Sequence, residues 1–141
     1  MKFDIREMTV DDYDEALALW KATEEIDLSD GDDREGVALC LDRNSGLSFV
    51  ACVGNTLVGA ALCGHDGRRG YLYHLAVVRQ YRNKGFGRAL VDACLSALGK
   101  AGIRKCNIFL YSHNHEAKAF WQSGGWYSIP DLAMMQKVIK E

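Results

Sequence analysis

The chain is 141 residues long, with 48% hydrophobic and 26% charged residues, which suits one globular domain and leaves no room for two of ordinary size. Seventeen basic against nineteen acidic residues give a net charge of −2, which argues against a dedicated electrostatic grip on nucleic acid or anionic lipid. No apolar run approaches the roughly 20 residues that span a bilayer, so the expectation is a cytoplasmic protein whose partners are small molecules or individual protein sites. Folding at this length buries about two thirds of the unfolded surface, so no disulfide or metal staple is required. The five cysteines, Cys40, Cys52, Cys63, Cys94 and Cys106, form no C-x-x-C pair and sit inside apolar patterns. They read as small core residues in a reducing compartment, with no metal site.

Residues 1–8 read as a strand, and Thr9 followed by Asp12 forms a capping-box variant that opens a helix. Val10, Tyr13, Leu17 and Trp20 recur at helical spacing as far as Thr23. Residues 24–33 then carry six acids and no base, which breaks the pattern. A short second helix takes Val37 and Leu41. Residues 47–53 and 56–63 are β-prone runs joined by Gly54-Asn55, a pair that tolerates positive φ, so they predict an antiparallel hairpin. A turn at Asp66-Gly67 leads to a third paired strand over 71–78.

From Gly85 the period becomes helical, with Leu90, Val91, Cys94 and Leu98 on one face and Gly102 beyond the end. Residues 105–111 read as a strand, Asn114 opens a helix to about Ser123, and Gly124-Gly125 ends it. Residues 132–139 read as a last strand after Pro130, the only proline. The order β-α-α-β-β-β-α-β-α-β predicts an α/β fold, a mixed sheet with helices on its faces.

The segment with most chemistry is 75–89, where a strand passes through a basic, glycine-bearing loop into a helix N-terminus. Unpaired helical N–H groups, the macrodipole and close backbone approach at glycine together make an anion site. Arg79, Arg82, Lys84 and Arg88 add formal charge. A lone G-x-G fits a tight turn with solvated cations equally well. A dinucleotide fingerprint is excluded, because its third glycine would fall on Leu90 and no acid stands near position 105; the G-x-x-x-x-G-K-[S/T] loop is absent.

Two motifs in order carry a family resemblance. Arg82-Asn83-Lys84-Gly85-Phe86-Gly87 matches Arg/Gln-x-x-Gly-x-Gly/Ala, directly after the strand ending Leu75-Ala76-Val77. Asn114-His115-Glu116-Ala117-Lys118-Ala119-Phe120-Trp121-Gln122-Ser123-Gly124-Gly125-Trp126 matches Asn-x-x-Ala-x-x-aromatic/Leu-Tyr-x-x-x-Gly-aromatic, with Trp121 at the tyrosine position. On these the chain resembles the GNAT superfamily of acetyl-CoA-dependent N-acetyltransferases, in the small single-domain bacterial form, and the likeness covers residues 47–127 most securely.

The resemblance implies a mostly antiparallel, twisted sheet of six to seven strands flanked by about four helices, all in one domain over 1–141. It implies a V-shaped opening between strands 71–78 and 105–111, with the cofactor's pantetheine arm against the former. Backbone N–H groups near Val77 and Val78 would hold pantetheine and the acetyl carbonyl, with Leu75 and Ala76 of the same strand in the cofactor set. The N–H groups of Gly85, Phe86, Gly87, Arg88 and Ala89 would hold the pyrophosphate, and Arg82, Asn83, Lys84, Asn114, Ala117, Phe120 and Trp121 complete the cofactor set. The implied reaction is acetyl transfer from acetyl-CoA to a primary amine of a small molecule. A protein N-terminus or lysine is the alternative acceptor, and an acyl-CoA sensor without turnover is the alternative class. Small members of the family often pair, so a homodimer belongs to the same expectation.

Many members carry a tyrosine that protonates the departing thiolate, and Trp121 cannot do so, because indole N–H donates a hydrogen bond without giving up its proton. A thiol of pKa about 8.5 can leave as thiolate unaided, and Tyr111 and Tyr127 are candidate stand-ins. The acceptor amine, with a pKa of about 10.4 if it resembles lysine, needs a base or water relay before attack. Alternation on strand 71–78 puts Tyr71, Tyr73 and Leu75 on one face and Leu72, His74 and Ala76 on the other. Tyr73 is a candidate for ordering a water in the acceptor cleft and His74 for the base; each also fits a residue packed under a helix. His65, His113 and His115 are too scattered for a metal site. Glu24, Glu25 and Asp27 of the acidic run, with Tyr71 and Tyr73, are the substrate-binding candidates, since a cationic amine is attracted there; the same run also fits a solvated surface.

Overall fold

The computed structural model describes residues 2–140, which form two compact units divided between Phe109 and Leu110. In the first unit the chain runs β1 (Asp4–Glu7), a 3-10 turn (Val10–Asp12), α1 (Tyr13–Lys21), α2 (Arg34–Arg43), β2 (Phe49–Val53), β3 (Thr56–His65), β4 (Gly70–Val77), a 3-10 turn (Arg79–Tyr81), α3 (Phe86–Lys100) and β5 (Cys106–Asn107). The second unit holds α4 (His115–Ser123).

The capping box at the first helix forms as expected: Thr9 N–H donates to Asp12 Oδ2 at 2.9 Å. Asp12 is 6% exposed. Its charge is met by a two-point grip from Arg6, at 2.8 and 2.9 Å, which ties β1 to the start of α1 and holds the carboxyl below its ordinary range. The helix over 10–23 begins as the 3-10 turn, so α1 proper starts three residues late.

Among the described residues the sheet has five strands in the order β1-β2-β3-β4-β5; the first three pairings are antiparallel and the last is parallel. Fewer strands are present than the six to seven expected. The strand over 105–111 keeps only Cys106 and Asn107, which pair with Gly70 and Tyr71. Residues 132–139 form no strand. Residues of both parities are open there, with Leu132 71%, Met135 92% and Ile139 97% exposed. β-prone composition describes a fit to a half-buried pleated surface, and it yields a strand only where a neighbour takes the backbone bonds.

One face of the sheet packs Val50, Leu57, Ala60, Leu62 and Ala76 against Tyr13, Ala16, Leu19 and Trp20 of α1 and Val37 of α2. Cys63 and Leu72 alternate to the other side, where Phe86, Leu90, Val91, Cys94 and Leu98 form the buried stripe of α3. All five cysteines are free; Cys52, Cys63 and Cys94 are buried and Cys40 and Cys106 half-buried. Among the described residues no helix is long and apolar enough to cross a membrane, and no group of three or more His, Cys, Asp or Glu side chains could hold a metal ion.

Candidate active site

The β3–β4 ladder pairs Leu62 with Tyr73 and Ala60 with Ala76, so Ala61 alone stands opposite both His74 and Leu75. That is a β-bulge, and His74 adopts φ +52°, a left-handed conformation rare for a residue with a Cβ. The extra residue shifts the alternation. Tyr73 and His74 therefore line the same cavity, which corrects the expectation that they face opposite sides. Trp20 of α1 fixes the bulge: its Nε1–H donates to the His74 carbonyl at 2.8 Å and its ring lies 5.1 Å from the imidazole.

The cavity holds about 280 Å³ and is lined by Asp27, Ser29, Asp30, Gly31, Asp32, Val37, Cys40, Leu62, Tyr73 and His74. His74 Nε2 lies 2.9 Å from Asp32 Oδ1, and both side chains are 17% exposed. Asp32 is held in turn, its Oδ2 accepting from Ser29 N–H at 2.9 Å and its carbonyl from the Tyr13 hydroxyl at 2.6 Å. Burial pushes the Tyr73 phenol above its ordinary range, and the neighbouring Tyr71 adds to the shift. The Cys40 thiol is likewise raised by burial. Tyr71, Tyr73 and Phe109 group their rings at centroid distances of 6.2 to 6.4 Å, beside the point where the β4–β5 ladder stops.

Loop 29–33 sits tightly on α2. A Cβ on Gly36 would lie 2.2 Å from the Gly31 carbonyl oxygen, so only glycine permits this approach. Asp33 caps α2 by accepting from Gly36 N–H at 2.8 Å.

β4 leads directly into the basic loop. Val78 N–H is bonded to Val58 O at 2.8 Å. Strand alternation then leaves Val77 as the residue whose backbone turns away from β3, and its carbonyl accepts from Arg82 Nε at 3.0 Å. Gly85 caps α3 at φ +90°, in open space, and Ala89 N–H closes the first turn on the Gly85 carbonyl at 3.0 Å. The N–H groups of residues 86–88 therefore precede the helical ladder, in the position that binds anions. Phe86 itself is 1% exposed and serves the core. Arg79 and Arg82 both pair with Glu24, the latter at 3.2 Å. Glu24's own backbone N–H, followed by Arg82, keeps its carboxyl below the ordinary range. Of the three acids expected to meet the substrate, Asp27 lines the cavity, Glu24 is joined to the arginines, and Glu25 sits at φ +66°.

In the second unit the Asn114 side chain caps α4, accepting from Ala117 N–H at 3.1 Å. Trp121 packs edge-on to Phe120 at 5.3 Å and to Trp126 at 4.9 Å. Tyr111 stacks on His113 at 5.4 Å, and Tyr127 is 75% exposed. The sequence does not single out Asp30 or Asp32, and it marks Cys40 only as a small core residue. The one available signal was the density of acids just before α2.

The model of the Acetyltransferase (GNAT) family matches residues 5–126. An acetyltransferase of Yersinia pestis (strain Pestoides F) is 32% identical over 136 residues, covering 95% of this chain and 94% of that protein. Among solved structures, AAC(6')-Iy in complex with the bisubstrate analog CoA-S-monomethyl-acetylneamine superposes with a TM-score of 0.79 at 19% identity, covering 98% and 99% of the two chains. The PaiA N-acetyltransferase from Thermoplasma acidophilum in complex with coenzyme A superposes with a TM-score of 0.74 at 19% identity, covering 88% and 89%.

Proposed function

The chain belongs to the GNAT acetyltransferase family, and from that membership we propose that it moves an acetyl group from acetyl-CoA to a primary amine of a small molecule, by direct attack and in the cytoplasm. The observation that carries the proposal is the continuity of β4. Through the 3-10 turn Arg79–Tyr81 and the loop after it, the strand joins a cavity lined by carboxylates, a phenol and an imidazole to a helix N-terminus fitted for a pyrophosphate. A cationic amine suits the former and a phosphorylated cosubstrate the latter. AAC(6')-Iy held by an analogue that joins CoA to acetylneamine, and PaiA with coenzyme A, support both halves.

In this reading the N–H groups of residues 86–88 and the loop cations hold the pyrophosphate, while Val77 offers its outward backbone to the pantetheine arm. Asp27 and Asp30 draw the amine, and Tyr73, kept as neutral phenol, can order a water. Trp121 gives up no proton, so CoA leaves as thiolate and is protonated afterwards.

The test measures release of free CoA thiol over a panel of small-molecule amines, with peptides bearing a free N-terminus or lysine as competitors. Gly87→Val should weaken acetyl-CoA binding at least about tenfold by calorimetry, because a branched side chain obstructs the approach to the first turn. Unchanged affinity would remove the cosubstrate assignment, and tight acetyl-CoA binding with no thiol release would leave a sensor.

A further inference from the structure

We propose that Asp32 is a positioning residue that locks His74 in the Nε2–H tautomer, so that Nδ1 is the nitrogen that takes the proton from the acceptor amine. This rests on the amine-transfer reading above. A carboxylate only accepts hydrogen bonds, so across the 2.9 Å contact with Asp32 Oδ1 the proton belongs to Nε2, and the lone pair is left on Nδ1. The lock is built from three elements. Loop 29–33 brings Asp32, pinned through Oδ2 on Ser29 N–H and through its carbonyl on the Tyr13 hydroxyl. The bulge of β4 brings His74 to the Tyr73 side of the strand. Trp20 of α1 holds the bulge by its bond to the His74 carbonyl. The left-handed conformation is disfavoured for a residue with a Cβ, and such strain persists where the surroundings over-determine it, as they do here.

The acceptor, an ammonium near neutral pH, first gives one proton to water and becomes the free amine. As the amine nitrogen bonds to the thioester carbon, its next proton passes to Nδ1, and the imidazolium is stabilised by Asp32. The C–S bond then breaks, CoA departs as thiolate, and the proton leaves Nδ1 for the thiolate or for water.

Asp32→Asn tests this without changing shape. Ser29 N–H can only donate, so the new amide must keep its oxygen there and turn its NH2 towards Nε2, which then has to accept. The ring proton moves to Nδ1 and the base is lost. Heteronuclear NMR of the imidazole nitrogens should show Nε2–H in the wild-type chain and Nδ1–H in Asp32→Asn. kcat/KM for the amine should fall about a hundredfold or more, with acetyl-CoA affinity within about twofold. His74→Gln should lose as much, and the double variant no more. Nδ1–H in the wild-type chain, or an inverted tautomer with kcat/KM preserved, overturns the proposal. The NMR readout needs no acceptor, so a chain that acetylates no amine refutes the amine-transfer reading separately.

Discussion

Trp20→Phe probes the link between packing and chemistry at one atom. The indole is 0% exposed, and its Nε1–H is the donor that receives the carbonyl freed by the bulge, 54 residues away in sequence. Phenylalanine keeps the aromatic surface and removes that donor. Leaving a half-buried carbonyl unpaired costs about 1–2 kcal/mol, and the void left by the missing ring adds about 1–2 kcal/mol. The sum, about 2–4 kcal/mol, should lower Tm by roughly 6–12 °C for a chain of this length. Urea unfolding followed by far-ultraviolet circular dichroism should show the midpoint fall with the slope unchanged. Because the bulge also sets His74 against Asp32, kcat should drop in the same variant under conditions where it is fully folded, while acetyl-CoA affinity holds. A Tm within about 2 °C of wild type together with unchanged kcat would refute the claim that the indole holds the bulge.

Glu24→Gln should act on the cosubstrate and not on the amine. It frees Arg79 and Arg82 from a competing carboxylate while Arg82 stays oriented by the Val77 carbonyl, so acetyl-CoA should bind roughly two- to fivefold tighter at low salt, fading as salt rises. A change in the amine KM instead would return Glu24 to the acceptor side. Asp12 supplies a pH signature. Its carboxyl is depressed by Arg6, so its contribution is present above the ordinary carboxylate pKa and is lost as pH falls through the depressed one. Asp12→Asn should be about 1–3 kcal/mol less stable at neutral pH and converge on the wild type in acid; parallel stability curves would contradict the assignment.

What the sequence disclosed was what neighbours along the chain decide. The Gly54-Asn55 turn, the Thr9–Asp12 box, the Asn114 cap and the Gly85 entry to α3 each depend on a few adjacent residues, and each is found where the spacing put it. The misplaced features depend on distant partners. Strand 71–78 alternates in sequence, yet its faces change at His74, because α1 offers a donor there and no local signal marks the extra residue. The apolar run 132–139 has strand composition, and composition carries no information about whether an adjoining strand exists.

The acidic run 24–33 shows why counting charges underdetermines a site. Summed, it is one negative surface for a cation, which is how composition reads it. Resolved, its carboxylates do different work. Glu24 binds the arginines that lead into α3, Asp33 caps α2, and Asp32 reaches 42 residues along the chain to His74. Asp27 and Asp30 line the cavity together with Asp32, where bulk charge would place a cation. Arg79 and Arg82 pair with Glu24, while Asp27, Asp30 and Asp32 stand together at the cavity. In the proposed reading a cation is favoured at the carboxylate-lined cavity over the arginine-bearing loop, so the same segment of chain would sort the amine from the phosphorylated cosubstrate.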